Sequence, residues 1–176
     1  MSLEQTSIRP CEVPQDSFLR RYVDGIGFAD CYVTEVPRAV SQGEFVEAFY
    51  TSSLFKIERT LLTYLASRPA CDAEAQQLAA GTARVFSAWS VQEQSATELL
   101  LADFTGRTRS WLRAVAVVRD GVAVATRLHF GSAIVRRAGG PAGPLRMGWL
   151  FHLMLGFHKL YSRALLRAAA RRVRWA

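Results

Sequence analysis

The dipeptide Asp120-Gly121 constrains the fold more than any other feature, because it joins two long apolar segments, 108–118 and 122–136. Asp-Gly readily adopts the positive φ angles of a two-residue hairpin turn. Strands joined by so tight a turn must pair as antiparallel neighbours. Gly131 interrupts the second segment and predicts a bulge or a bend, which would let one long strand supply two segments of the sheet.

Three more segments have the composition of β-strands. They span residues 29–36, 83–94 and 97–104, and each combines β-branched, leucine or aromatic residues with turn residues at its ends. Thr105-Gly106-Arg107 predicts the turn that leads into 108–118. The sequence therefore predicts about five strands, most of them consecutive neighbours in one antiparallel sheet.

Helical signals follow the first strand. Ser41 and Glu44 have the spacing of a capping box, in which each side chain bonds the backbone N–H of the other residue. Apolar residues then recur at three- and four-residue intervals, which predicts helices over 42–50 and 53–67. A further short helix is predicted over 72–80, where Gly81 ends it.

Residues 145–174 predict one long helix with two different sides. The expected sheet-facing stripe contains Leu153, Phe157, Leu160, Tyr161 and Leu165. The other side is mainly basic and carries His152, Lys159, Arg163, Arg167, Arg171 and Arg174. We expect the apolar stripe to pack on the sheet, which gives an α+β fold.

The chain has 176 residues, half of them hydrophobic, which is enough for one core. We expect a single domain over 29–176, preceded by a partly ordered lead-in over 1–28 that Pro10 and Pro14 interrupt. Residues 1–10 lack the charged start and apolar run of a signal peptide. The most apolar stretch, 149–157, is too short to span a membrane, so we interpret the chain as a cytoplasmic, bacterial-type protein.

Charge is distributed unevenly along the chain. All fifteen acidic residues lie at or before Asp120, and ten arginine or lysine residues follow it with no acid among them. One basic surface is therefore expected, and the C-terminal helix is its main carrier. Binding to nucleic acid or to an anionic membrane through this helix is one hypothesis, although a solvated helix face has the same pattern.

The pattern of cysteine and histidine residues does not indicate a metal or a cofactor. Cys11, Cys31 and Cys71 are far apart in sequence and form no CxxC pair, so we expect free thiols. His152 and His158 are six residues apart on the predicted helix, a spacing that separates them. The chain contains no GxSxG motif and no phosphate-binding loop, and we assign no catalytic residue.

A family resemblance rests on short segments between residues 29 and 170. They are Asp103 to Arg107, Arg109 to Arg113, Thr126 to Phe130 and Gly156 to Leu160. With the order strand, helix pair, antiparallel strands and long helix, the chain resembles the helix-grip superfamily of START-related proteins (SRPBCC, polyketide cyclases and lipid-transfer domains), and within it a bacterial family of unknown function. The resemblance implies a curved antiparallel sheet that wraps the C-terminal helix and leaves a cavity between them. It implies no catalytic residue, because the superfamily has no universal one.

The resemblance makes binding of a small hydrophobic or amphipathic molecule the first functional hypothesis. Aromatic, apolar and a few polar side chains on the strands and on the last helix are the candidate ligand contacts. They are Trp89, Leu101, Trp111, Arg113, His129, Phe157 and Tyr161.

Strand alternation separates some of these candidates. Trp111 shares one face with Arg109 and Arg113, and the small-residue face of that strand is expected to seat the helix. His129 is predicted to share a face with Arg127 and Gly131, either as a pocket group or as a structural histidine.

Three strand carboxylates, Glu93, Glu98 and Asp103, are predicted to lie in solvated positions. Asp103 is expected to hold the turn at 105–107 through Arg107 or Arg109. A cyclase- or hydratase-like enzyme that uses His129, Asp103 or Tyr161 is the alternative function, and a homodimer through the outer sheet face is compatible with either.

Overall fold

The computed structural model describes residues 7–23, 28–57, 71–135 and 149–175, and for 149–157 it describes the helix but not the side chains. In this part of the chain one antiparallel sheet has seven strands in the order β1-β2-β7-β6-β5-β4-β3. The sheet is not closed, and β1 and β3 form its edges. The strands are β1 (Arg9–Pro10), β2 (Phe28–Val36), β3 (Val85–Phe86), β4 (Trp89–Gln94), β5 (Glu98–Asp103), β6 (Thr108–Arg119) and β7 (Val122–Ile134).

The α-helices with defined bounds are α1 (Gln42–Tyr50), α2 (Asp72–Ala79) and α3 (Trp149–Trp175), and residues 53–57 are also helical. The predicted capping box of α1 is confirmed, because Ser41 and Glu44 exchange side-chain to backbone hydrogen bonds. The predicted helix over 53–67 begins as expected and is helical to residue 57. The rest of it, the predicted loop 138–144 and the predicted helix start at 145–148 lie outside the described residues.

The predicted hairpin at Asp120-Gly121 is confirmed. Asp120 and Gly121 have φ angles of 50° and 78°, which suit a tight turn between β6 and β7. The expected bulge at Gly131 is wrong, since Gly131 pairs in register with Cys31 on one side and Trp111 on the other. The bulges of this sheet lie elsewhere, between Val91 and Glu93 and between Val117 and Val118.

The expected number of strands was too low, for a local reason. Ser87, with a φ of 52°, turns the chain inside the segment 83–94 and splits it into β3 and β4. β1 has only two residues, Arg9 and Pro10, which is too short to produce a periodic pattern.

The helix-bearing side of the sheet, called here the inner face, holds the larger core. α1 and α3 cover it, and an aromatic group from α1 and the segments after it fills the space next to β3 and β6. Its members are Phe45, Phe49, Tyr50, Phe55 and Phe86. Leu112 and Ala114, on the face of β6 opposite Trp111, lie in this core, so the small-residue face of β6 is the one towards the helices, as expected.

The opposite side of the sheet, called here the outer face, is covered by the N-terminal segment 11–23. Leu19 is fully buried and packs with Val13, Cys31 and Trp111 in a second, smaller core. This segment also includes the 3-10 turn Arg20–Tyr22. The part of the lead-in that the structure describes is therefore packed against the sheet.

The buried stripe of α3 is rotated from the predicted one. Ser162, Leu165, Leu166, Ala169 and Val173 are buried, whereas Leu160, expected to face the sheet, is 68% exposed. Small residues such as Ser162 and Ala169 let a helix approach a sheet closely, which favours burial of the stripe that contains them. Apolar periodicity alone favoured the larger leucine.

The helices in the described ranges include none with the length and apolar character needed to cross a lipid bilayer.

Candidate functional site

Two polar clusters lie against the sheet, one on each face, and each combines buried and exposed side chains. The first, called here the inner cluster, lies where β2 and β7 meet α3. It consists of Asp30, Tyr32, Ser132, His158 and Arg163. Asp30 and Ser132 are direct partners in the β2–β7 register, so their side chains project side by side towards α3.

Ser132 is the hub of the inner cluster. Its hydroxyl donates a hydrogen bond of 2.6 Å to Asp30 Oδ1, and its Oγ lies 2.8 Å from His158 Nε2. Asp30 Oδ2 lies 3.7 Å from the same ring nitrogen. A carboxylate, a hydroxyl and an imidazole thus meet at the layer between sheet and helix.

The inner cluster contains a buried acceptor that its neighbours do not satisfy. Asp30 Oδ2 is inaccessible to solvent and has no hydrogen-bond partner among the residues that the structure describes. Burial raises the pKa of Asp30, but the nearby His158 ring and the hydrogen bond from Ser132 outweigh burial and keep the pKa below its ordinary value. Asp30 is therefore an ionised carboxylate whose Oδ2 accepts no hydrogen bond in the described ranges, although His158 Nε2 lies 3.7 Å from it.

Tyr32 and Arg163 extend the inner cluster along α3. The Arg163 guanidinium lies 5.6 Å from the centre of the Tyr32 ring. Burial, together with the negative charge of Asp30, raises the pKa of Tyr32 to about 12. Tyr32 is consequently a neutral hydroxyl at physiological pH.

Further hydroxyls line the same face beside the cluster. Ser110 is the β6 partner of Ser132, and its Oγ lies 3.2 Å from the Tyr50 hydroxyl of α1. Thr34 of β2 is buried, and its hydroxyl has no hydrogen-bond partner in the described ranges. A polar strip thus crosses an otherwise apolar inner face.

The second cluster, called here the outer cluster, lies under the N-terminal segment and consists of Asp16, Glu98, Trp111, Arg113 and His129. Glu98 is 5% exposed, and its Oε2 accepts hydrogen bonds from Trp111 Nε1 at 2.7 Å and from the Phe18 backbone N–H at 2.9 Å. The prediction that Glu98 is solvated is wrong. The N-terminal segment covers Glu98, and an assignment of strands alone does not include that segment.

Arg113 links Glu98 to the surface. Its guanidinium donates to both carboxylate oxygens of Asp16, at 2.8 and 2.7 Å, and its Nε lies 3.7 Å from Glu98 Oε1. The Arg113 hydrogen bonds lower the pKa of Asp16 to about 2.

His129 is buried beside Trp111, with 5.9 Å between the ring centres. Its Nδ1 has no hydrogen-bond partner in the described ranges. Burial, together with the positive charges of Arg113 and Arg127, lowers the pKa of His129 to about 4. A groove of about 390 Å³ opens here, between Pro14 and the strands β6 and β7.

A basic groove of about 450 Å³ lies at the sheet edge near the end of α3. Arg9, Arg119 and Arg174 line it from three different elements, together with Glu35. Arg174, from the C-terminal region that we predicted to be basic, lies in this groove with two arginines from other parts of the chain.

The predicted ligand contacts fall into two groups. Trp89, Leu101 and Tyr161 lie on the inner face. Trp111, Arg113 and His129 come together on the outer face; strand alternation predicted a shared face for Trp111 and Arg113, and the β6–β7 register adds His129. The Phe157 side chain lies outside the described residues. A ligand between the sheet and α3 would therefore contact only the first group.

The other two strand carboxylates, Asp103 and Glu93, have different partners. Asp103 holds the turn after β5, as expected, but it accepts hydrogen bonds from the Thr105 hydroxyl and the Thr108 backbone N–H. Glu93 pairs with Arg21 near the surface.

Sequence reasoning did not find the inner cluster. Asp30 and Ser132 are more than a hundred residues apart, and each occurs in a strand with no local motif. The sequence signal for Asp30 was only the alternation of β2, which places Asp30 on the same face as Tyr32 and Val36. In the described ranges no group of three or more histidine, cysteine or carboxylate side chains is arranged to hold a metal ion.

Comparison with known proteins gives no relative that assigns either cluster. No protein-family model, no curated protein and no solved structure matches the chain.

Proposed function

We propose that this chain is a START-like helix-grip protein that binds a small amphipathic molecule between the inner face and α3. The main observation in its support is the inner cluster, in which Asp30 Oδ2 is a buried acceptor without a hydrogen-bond partner among the described residues. A buried carboxylate oxygen left unpaired is costly, and a bound donor would offset that cost.

The order of elements supports the fold part of the proposal. The strand before α1 pairs with the last strand β7, the strands β3 to β7 are consecutive neighbours, and α3 packs on the same face as α1. This is the order implied by the helix-grip resemblance.

The surroundings of the cluster support an amphipathic ligand. Phe130 precedes the Ser132 strand position by two residues and belongs to the apolar core, so an apolar surface adjoins the polar strip. The ligand would direct a hydroxyl or amine towards Asp30 and Ser132 and its apolar part along the sheet. A carboxylate head group would be repelled by Asp30.

Binding can be tested with matched fluorescent probes, a medium-chain fatty alcohol analogue and the corresponding fatty acid. The wild-type protein is expected to bind the alcohol at least tenfold more tightly than the acid. Asp30→Asn should reduce that preference, whereas Glu35→Gln should not, because Glu35 is on the same strand but pairs with Arg127 at the surface. Failure of the folded protein to bind either probe would contradict the proposal.

Acid–base catalysis is a second candidate, favoured by the distance of 2.8 Å between Ser132 Oγ and His158 Nε2. Asp30 and Ser132 meet the same ring nitrogen, whereas in a nucleophilic triad the carboxylate and the hydroxyl bind opposite nitrogens. The arrangement therefore suits proton transfer in a hydration or cyclisation more than attack by serine.

The catalytic candidate has a direct test. Hydration of a small α,β-unsaturated thioester would be followed in ¹⁸O-labelled water. Activity that is lost in His158→Gln and kept in His129→Gln would support it. Equal activity in the two variants would exclude His158 as the proton donor or acceptor.

A further inference from the structure

Two of the three cysteines, twenty residues apart in sequence, lie side by side on the outer face. The Cys11 backbone N–H donates to the Cys31 carbonyl at 3.0 Å, which continues the β1–β2 pairing by one residue. The two Sγ atoms are also 3.0 Å apart. Facing residues on antiparallel neighbours with adjoining sulfur atoms are within the range that a disulfide bridges.

The environments of the two thiols are unequal. Cys31 is 3% exposed, whereas Cys11 is partly accessible. The hydrogen bond with Cys31 lowers the pKa of Cys11 against its partial burial, and the charges of Arg9 and Arg127 act in the same direction. The same contact and burial raise the pKa of Cys31. Cys11 is thus the accessible, more readily ionised partner.

We propose that Cys11 and Cys31 are a reversible redox site whose disulfide fastens the N-terminal segment to the outer face. The oxidant is a low-molecular-weight disulfide such as glutathione disulfide. The Cys11 thiolate attacks one sulfur atom of glutathione disulfide. This forms a mixed disulfide between Cys11 and one glutathione and releases the other glutathione as a thiolate. Cys31 then loses its proton and attacks the Cys11 sulfur, which releases the second glutathione. Two protein thiols are oxidised, and one glutathione disulfide is reduced to two glutathiones.

The structure shows what the bond would hold in place. Residues 11–23 contribute Asp16 to Arg113, the Phe18 N–H to Glu98 and the Leu19 side chain to the core over Gly131. These contacts hold the N-terminal segment over the outer cluster. The disulfide would restrict the first residue of this segment to the sheet, so undocking becomes rarer in the oxidised protein.

The redox site can be tested on the full chain in buffers with defined ratios of glutathione to glutathione disulfide. Free thiols are alkylated, and the peptides are mapped by mass spectrometry. We expect the number of alkylated cysteines to fall from three to one, with Cys71 still modified because it is exposed and separate. The Cys11 and Cys31 peptides should be joined with the loss of two hydrogen atoms.

Two variants serve as controls. Cys71→Ser should form the same bond, and Cys11→Ser should keep both of its remaining thiols. Oxidation should raise the thermal unfolding midpoint of Cys71→Ser by roughly 5–10 °C and leave that of Cys11→Ser unchanged. It should also slow tryptic cleavage after Arg21, which lies in the fastened segment and is half exposed.

Three outcomes would overturn the proposal. They are a Cys11–glutathione adduct that persists with a free Cys31 under oxidising conditions, an intermolecular bond through Cys71 as the main product, and a Cys11–Cys31 bond that leaves the unfolding midpoint and the tryptic cleavage rate unchanged.

Discussion

Glu98 and Trp111 form a buried hydrogen bond of 2.7 Å between adjacent strands, with the indole Nε1 donating to the carboxylate. Both residues lie on the outer face, and the same carboxylate oxygen accepts from the backbone of Phe18. One side chain therefore joins β5, β6 and the N-terminal segment. Docking of that segment therefore includes a hydrogen bond to one buried carboxylate.

Removal of the Glu98 carboxylate should destabilise the protein strongly. Glu98→Ala leaves the Trp111 and Phe18 N–H groups unpaired and Arg113 without its buried partner, which should cost about 3 kcal/mol in the free energy of unfolding. Urea denaturation measures it. Glu93→Ala is the matched control, since Glu93 pairs with a half-exposed Arg21 and should cost no more than about 1 kcal/mol. Equal losses in the two variants would contradict the role of Glu98.

Gly131 should not tolerate a methyl group. A Cβ at this position would lie 2.5 Å from Leu19 Cδ2, 2.9 Å from the Asp30 carbonyl oxygen and 3.0 Å from Trp111 Cε3. We expect Gly131→Ala to cost about 2 kcal/mol through overpacking. Leu19→Ala should cost about 3 kcal/mol by itself through the cavity it leaves.

The double variant tests whether Leu19 and Gly131 act together. Because Leu19→Ala removes the nearest clashing atom, the double variant should be less destabilised than the sum of the single variants by about 1 kcal/mol. Urea denaturation of all four proteins measures this coupling. Simple additivity would show that the Asp30 backbone, and not Leu19, limits the space at Gly131.

The contrast between Gly131 and Asp120-Gly121 shows what the sequence could predict. The hairpin was predictable because its cause, two positive φ angles, is local to two residues. Gly131 was misassigned as a bulge because its cause is the approach of Leu19, more than a hundred residues earlier in the chain. Strand faces were predictable for the same reason as the hairpin, since alternation depends only on neighbouring residues.

The clusters were less predictable than the elements that carry them. The inner cluster depends on the β2–β7 register and on the rotation of α3, and small residues changed that rotation from the one that apolar periodicity predicts. The burial of Glu98 depends on a segment with no regular pattern. The rotation of α3 and the burial of Glu98 therefore depend on contacts between distant parts of the chain, which local sequence patterns do not predict.

His129 should make the protein less stable in mild acid. Its pKa is about 4 in the folded protein and 6.5 in an unfolded chain, so between these values the unfolded state binds more protons. The free energy of unfolding should therefore fall as the pH is lowered through this window. The full loss is roughly 3 kcal/mol, since each pKa unit corresponds to about 1.4 kcal/mol.

Urea denaturation between pH 7 and pH 4.5 measures the effect of His129. The wild-type protein should lose stability across this range, and His129→Gln should lose much less. Asp16 and Asp30 do not interfere, because their pKa values are lowered and the stability that they contribute is lost only as the pH falls below their ordinary value of 3.8. An identical pH dependence in the variant would exclude His129 as the cause.

Gln42 should be a sensitive polar position at the junction of α1 and the sheet. Its side-chain amide donates to the Leu112 carbonyl at 3.1 Å and accepts from the Ala114 N–H at 2.8 Å, and the residue is 7% exposed. Gln42→Ala leaves both backbone groups without this partner and should cost about 2 kcal/mol. Gln42→Glu should cost more, because a carboxylate cannot donate to the Leu112 carbonyl and is buried without a cation in this contact.

Gln76→Ala is the control, since Gln76 bonds Glu47 at the surface and should cost less than about 0.5 kcal/mol, as measured by urea denaturation. If Gln42→Glu were as stable as the wild-type protein, the amide would have no directional role in holding helix α1 to the sheet.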